Sequence, residues 1–429
     1  MEGAAPAEFH VMVKPTGAIC NLDCDYCFFL SKEALYPGSG FRMDEALQER
    51  FIEQLLSAHS GAPEVVVAWQ GGEPTMMGLD FFRRAVELQQ RHRRPGQRIL
   101  NTVQTNGTLL TDEWGAFLSA NDFLVGISID GPPAMHDTYR VDKGGKPTSD
   151  RVLTGLDVLK SHGVEWNVLT TIHHANGDHG GEVYRYLRDD LGARFIQFIP
   201  IVERAAPEGL LVTSRSVSPE QYGRFMIDIF EDWVRHDVGE VYVQQFDTAL
   251  SSWLGVGGGS CVHAETCGQQ LALEHNGDLY SCDHYVQPDH LLGNIDDRPL
   301  LELVALPTQR QFGQDKRDSL TQFCLDCDVR FACNGGCPKD RFANSPSGEP
   351  RHHYLCPGYL AFFHHVRTPM EAMAELIRRH RAPAGLMEVY AREDAARGRN
   401  DPCTCGSGVK WKKCHGPVRP TTVREPCQP

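Results

Sequence analysis

Cys20, Cys24 and Cys27 stand in the stretch Lys-Pro-Thr-Gly-Ala-Ile-Cys-Asn-Leu-Asp-Cys-Asp-Tyr-Cys. A C-x3-C-x2-C spacing offers three thiolates to an iron–sulfur cube that has four irons. Four cysteines close a cluster into an electron carrier, whereas three leave one iron open to a substrate or cofactor. A zinc loop is the alternative, but zinc asks for a fourth Cys or His at short spacing, and none follows before His59. The chain has 15 cysteines in all. None falls between 28 and 260, eight lie from 261 to 356, and four follow residue 402, so the thiols alone propose three functional segments.

Side chains of this kind need a frame that aims them at one point. Runs rich in β-branched and aromatic residues predict strands at Phe9 to Val13, Val65 to Trp69, Ile99 to Gln104, Phe123 to Ile129, Trp166 to Ile172 and Phe195 to Pro200. Amphipathic stretches between them predict helices over Met43 to Ser57, Leu79 to His92, Asp150 to His162 and Gly181 to Leu191. Six β/α units make a parallel α/β sheet with right-handed crossovers the expected architecture. Ser218 is read as the cap of a longer helix through Gln221, Phe225, Ile229 and Trp233 that leaves this unit.

Function should gather at the carboxyl ends of such strands. The Cys20 loop follows the first strand, Gln70-Gly71-Gly72-Glu73-Pro74 the second and Gln104-Thr105-Asn106-Gly107 the third, while Ser128-Ile129-Asp130-Gly131-Pro132 ends the fourth. Paired glycines let backbone approach a ligand, and Glu73 could fix an amino group by a charge-assisted hydrogen bond. In this order the motifs resemble the radical S-adenosylmethionine superfamily. The resemblance implies a partial (β/α)6 barrel over residues 1–240, with S-adenosylmethionine chelated by the open iron. It also implies cofactor contacts from Tyr26, Gly71, Gly72, Glu73, Ser128, Arg140 and Ile201.

The cysteines at 261, 267, 282, 324, 327, 333, 337 and 356 suit two cubes of four ligands each. With Gly277 five residues before Cys282, and Cys324-x2-Cys-x5-Cys-x3-Cys337 before Cys356, the segment 241–375 resembles the SPASM auxiliary-cluster domain. Zinc ribbons share the C-x2-C element but fit the x5 and x3 intervals poorly. By the family's pattern Cys261, Cys267, Cys282 and Cys337 hold one auxiliary 4Fe-4S cluster, and Cys324, Cys327, Cys333 and Cys356 the other. Asp283, on its residues alone, reads as a turn residue bonding its own backbone. The motifs together, from about residue 9 to 375, resemble the anaerobic sulfatase-maturating enzymes, and that resemblance makes Asp283 the proton acceptor of the reaction.

Residues 376–400 read as an exposed helix or linker, rich in Arg, Ala and Glu. Cys403, Cys405, Cys414 and His415 then form a closed four-ligand set, the pattern of a structural zinc. Residues 401–417 resemble the SEC-C motif, whose Trp411 and flanking Lys and Arg offer a small basic, aromatic surface to a protein partner. Cys427 has no assignment.

The composition is that of a globular protein, 41% hydrophobic and 23% charged, and no run of eighteen apolar residues is present to span a bilayer. The first residues lack the basic and apolar regions of a secretory signal, so a cytoplasmic location is expected, where cysteines serve as metal ligands rather than disulfides. A net charge of -14 argues against a general nucleic-acid binder.

What the resemblance implies is an oxygen-sensitive oxidoreductase with three 4Fe-4S clusters and one zinc, supplied with electrons by a flavodoxin or ferredoxin. Its substrate would be a sulfatase polypeptide or peptide, in which a Cys or Ser is oxidised to Cα-formylglycine after a 5′-deoxyadenosyl radical takes a Cβ hydrogen. Two other readings stay open on sequence alone. One is a maturase that cross-links a ribosomally made peptide on the same scaffold. The other is a non-catalytic iron–sulfur adaptor that recruits a partner through its zinc tail.

Overall fold

The computed structural model describes residues 9–206, 209–257, 259–403 and 409–413. Its first half alternates strand and helix: β1 (His10–Lys14), α1 (Glu45–Ala58), β2 (Glu64–Trp69), α2 (Leu79–His92), β3 (Arg98–Thr105), α3 (Asp112–Ala120), β4 (Leu124–Ser128), α4 (Pro133–His136), α5 (Ser149–Ser161), β5 (Glu165–Ile172), α6 (Gly180–Arg185) and β6 (Phe195–Pro200). Local chemistry sets several starts. The Asp44 carboxylate accepts from the Leu47 N–H at the head of α1, and Thr111 caps α3 through the Trp114 N–H. The expected strands and helices fall on these elements, with ends shifted by a residue or two. Helix α3 is not among the expected helices, and the one expected to end at Leu191 passes into a π turn over Tyr186–Asp190.

The strands β1 to β6 run parallel in chain order, and alternate residues such as Val65, Val67 and Trp69 face the buried side. Helix α7 (Pro219–His236) begins in a complete capping box, Ser218 with Gln221, and has Pro219 in its first turn. It does not leave the barrel, as the sequence suggested. It is the crossover into a seventh parallel strand, β7 (Tyr242–Val243), which pairs with β6 and leads into α8 (Gln244–Leu254). Two residues are too few to show a strand period, which is why β7 leaves no mark in the sequence pattern.

The cysteine-rich segment adds β8 (Gln270–Glu274), β9 (Asp278–Tyr280) and β10 (Leu291–Asn294), then α9 (Leu300–Val304), α10 (Pro307–Asp318), α11 (Gln322–Leu325) and α12 (Arg330–Cys333). Strand β8 pairs in parallel with β1 over five residues, His10 with Gln270 through Lys14 with Glu274. One ten-stranded sheet therefore spans both segments, ordered β10-β9-β8-β1-β2-β3-β4-β5-β6-β7.

Helix α13 (Cys356–Arg378) crosses α7 closely, because Gly223 and Gly358 meet there. A Cβ on Gly358 would stand 2.2 Å from the Pro219 carbonyl oxygen. The segment 376–400 is not bare linker: it holds the end of α13 and a helix, α14 (Gly385–Ala396), whose Leu386 is buried. Beyond it a short bridge pairs Pro402 with Lys410, and Trp411 is buried. The Arg235 guanidinium of α7 lies 4.6 Å from the Tyr390 ring centroid and 5.9 Å from that of Trp411. Among the described residues no helix is long and apolar enough to cross a membrane.

Candidate active site

At the carboxyl ends of the strands a cavity of about 270 Å³ is walled by residues of both segments. Cys20, Cys24 and Cys27 meet Gly71 and Gly72 there, with Ser128, Arg140 and Ile201 on the far wall and Asp283 and His284 closing it from the cysteine-rich side. The loop after β2 is locked to the Cys20 loop by backbone bonds, Gly72 N–H to the Gly17 carbonyl and Glu73 N–H to the Ile19 carbonyl. Gly72 is required by this contact, since a Cβ on it would lie 2.0 Å from the Ile19 oxygen.

The three thiols are close neighbours: Cys27 raises the pKa of Cys20, and Cys27 and Cys20 raise that of Cys24. Burial, more than any neighbour, pushes Cys20 to about 11 and Cys24 to about 12. Cys20 Sγ also accepts from the Leu22 N–H at 3.3 Å and the Asn106 amide at 3.6 Å, bonds that fix the direction of the sulfur. Buried thiols that are acidic only when a cation replaces their protons fit a bound metal group. Among the described residues no three Cys, His, Asp or Glu side chains converge on a single-ion position.

Behind the cavity lies a buried polar network to which the motifs alone give no role. Asp130, fully buried, accepts from Tyr26 Oη at 2.5 Å, Arg140 Nε at 2.9 Å, Arg140 Nη2 at 3.2 Å and the Thr171 N–H at 2.9 Å. Burial alone would raise its pKa, but Arg140, with His173 and His136 beyond it, holds the carboxyl well below the usual range. His136 and His173 are themselves lowered to about 4, chiefly by burial. Tyr26 and Arg140 thus reach the cavity wall already fixed from behind. Asp130 belongs to the Ser-Ile-Asp-Gly-Pro motif, and an acid at a strand end ten residues before an Arg is the signal the sequence offers for it.

The geometry corrects the expectation for Glu73, because its side chain is 0% exposed and faces away from the cavity. Oε1 accepts from the Thr75 N–H and from the hydroxyls of Thr75 and Thr105, and Oε2 accepts from the Asn106 N–H. The carboxylate ties the loops after β2 and β3 together.

The eight later cysteines fall into two neighbourhoods. Cys282 and Cys267 each have Cys261 nearby, Cys282 also has Cys337, and the buried Lys316 lies among them. Lys316 donates to the carbonyls of Cys261, Val262 and Ala264. Cys324, Cys327, Cys333 and Cys356 form the other set, in which burial pushes Cys333 and Cys356 to about 12. In the tail Cys403 is buried and its N–H bonds the Val409 carbonyl, while Cys405, Cys414, His415 and Cys427 lie outside the described residues.

The radical SAM superfamily pattern matches residues 15–187, the SPASM iron–sulfur cluster-binding domain 261–328 and the SEC-C motif 399–417. A serine-type anaerobic sulfatase-maturating enzyme of Bacteroides thetaiotaomicron is 43% identical, over 88% of this chain and 94% of its own length. A cysteine-type enzyme of Clostridium perfringens is 33% identical, over 83% and 95%. The solved structure of native anSMEcpe with bound AdoMet superposes with a TM-score of 0.78 at 31% identity, over 85% of this chain and 99% of that one. At these identities and coverages, the chain belongs to the anaerobic sulfatase-maturating enzymes, radical SAM protein-modifying oxidoreductases.

Proposed function

We propose that this chain oxidises a Cys or Ser side chain of a sulfatase polypeptide to Cα-formylglycine, with Asp283 as the proton acceptor. The observation that carries the reading is that Asp283, from the cysteine-rich segment, walls the same cavity as Cys20, Cys24 and Cys27. Those three would hold the cluster that chelates S-adenosylmethionine, and the backbone of Gly71, Gly72 and Glu73, with Tyr26, Ser128, Arg140 and Ile201, would frame the cofactor. The two later neighbourhoods would hold one 4Fe-4S cluster each. Cys403, Cys405, Cys414 and His415 would hold one zinc, a reading supported by the hairpin bridge that returns the chain beside Cys403. When bound, S-adenosylmethionine supplies the acceptor of a Cβ hydrogen atom, and the iron–sulfur groups supply a path for electrons.

The chain's own work is positioning and proton transfer. Turning CH2–OH into CHO removes two hydrogens and two electrons. One hydrogen leaves Cβ as an atom, and the other leaves oxygen as a proton, for which Asp283 is placed as the base. The second electron leaves through the protein to an external carrier of the flavodoxin or ferredoxin class. For cysteine the same balance gives a thioaldehyde, which water converts to the aldehyde with loss of hydrogen sulfide. His284 and Phe28, edge to face at 5.7 Å, help cover the site on the Asp283 side.

Relatives of both target types align with the chain, so paired peptides form the test. Anaerobically reconstituted protein, with reductant and S-adenosylmethionine, is incubated with a peptide bearing Cys-x-Pro-x-Arg and with its Ser counterpart. The expected result is the mass loss of thiol-to-aldehyde or alcohol-to-aldehyde conversion. Cofactor cleavage with no aldehyde from either peptide would count against the reading.

A further inference from the structure

The strand β1 ends on Lys14, a side chain expected to face water at a strand terminus, yet it is 0% exposed. Its Nζ pairs with Asp283 Oδ1 and lies 3.8 Å from the centroid of the Phe29 ring. A desolvated ammonium persists only where it is paired, so this burial is matched to that carboxylate. Asp283 and Phe29 wall the cavity, whereas Lys14 does not, which places it behind the carboxylate rather than beside a substrate.

The two partners differ in how firmly they are held. Lys14 belongs to a central strand, paired with β2 on one side and with β8 on the other, its own residue matched to Glu274. Asp283 opens a single three-residue turn, Asp283–Tyr285, that has no side-chain cap. The strand is the rigid body and the turn the part that needs fixing. Lys32, half-buried on the segment after Cys27, also faces Asp283 and Glu274, and burial lowers its pKa. It makes no ion pair with Asp283, so Lys14 alone grips the carboxylate among the described residues.

We propose that Lys14 is a positioning residue for the oxidation: it anchors Asp283 through Oδ1 and leaves Oδ2 to meet the thiol or hydroxyl of the target residue. The inference rests on Asp283 as proton acceptor and adds the residue that aims it. A purely structural ion pair would affect folding and iron loading but not the fraction of cofactor cleavage that ends in product.

Three variants decide it: Asp283→Asn, Lys14→Met and the double. Each is reconstituted anaerobically and read for iron content, for affinity toward the Ser and Cys peptides, and for aldehyde formed per 5′-deoxyadenosine. Lys14→Met is expected to keep its iron and its peptide affinity while that ratio falls about 10- to 100-fold, the effect of a base displaced by about an ångström. Asp283→Asn is expected to fall at least as far, and the double to match it, because Lys14 acts only through the carboxylate. An unchanged ratio in Lys14→Met, or a double well below Asp283→Asn, would overturn the proposal. A normal ratio in Asp283→Asn would instead remove the reading of Asp283 itself. Should Lys14→Met fail to load iron, Lys14→Arg, which keeps the charge but shifts it, decides. Full iron with a lowered ratio supports positioning, whereas full iron with an unchanged ratio, or renewed iron loss, makes Lys14 structural and ends the proposal.

Discussion

Asp130 does for Tyr26 and Arg140 what a second row of ligands does at a metal: it fixes side chains that line the cavity while staying out of the cavity itself. The arrangement is costly to break from one side. Arg140→Met leaves a buried carboxylate without its cation and should destabilise the fold by about 3–5 kcal/mol. Arg140→Met with Asp130→Asn should recover most of that loss, since neither charge then remains. Denaturant unfolding of the metal-free forms checks the pair, and S-adenosylmethionine affinity should stay weak in both. No recovery in the double would mean that Arg140 stabilises by packing instead. The residue types of the site are legible from motif spacing, but their directions are not. Glu73 sits in the right loop and points the wrong way, because the three hydroxyl and amide donors around its Oε1 come from Thr75 and from Thr105 one strand over. Lys14 leaves a readable trace, a charge at the end of the apolar run Val-Met-Val.

Helix contacts add to the sheet as a link between barrel and cluster segment, and a close one is the Gly223–Gly358 crossing of α7 and α13. Gly358→Ala should cost about 1–3 kcal/mol, because its Cβ meets carbonyl backbone that cannot turn aside. Gly223→Ala should cost less, its nearest atoms being the Cα of Gly358 at 3.1 Å and that residue's oxygen at 3.2 Å. Melting temperatures of the two variants give the order directly, and equal or reversed shifts would show that the helices slide freely. Since α13 starts at Cys356, the Gly358 variant should also lose iron more readily than the Gly223 variant. At this scale the sequence is most informative where the period is long. Helix α2 and strand β6 are bounded correctly from Leu79 and Phe195. It is silent on β7, which is too short for a pattern, and on the β1–β8 pairing, because partners about 260 residues apart leave no periodic mark on either strand.

For the whole molecule, the tail tests how far the segments are independent. Spacing alone describes a zinc knuckle on a tether, but α14 and Trp411 lie against α7 through Arg235. Truncation after residue 385 should therefore remove one zinc and lower stability by about 2–5 kcal/mol, from the lost burial of Leu386, Tyr390 and Trp411. The truncated chain should still carry about twelve irons, three cubes' worth, and still cleave S-adenosylmethionine. Metal analysis beside a melting curve separates the effects, and a halved cleavage rate would make the tail part of the catalytic unit.

The pairing of β1 with β8 also has a meaning in time. Strand β1 leaves the ribosome well before β8, and it receives its second neighbour only when residues 270–274 have been made. At about 5–20 residues per second that is a delay on the order of 10 to 50 s. Until then the edge of β1 offers unpaired N–H and C=O groups to any other chain. The nascent barrel is thus an open template through most of its synthesis, and the cluster-bearing segment is what closes it.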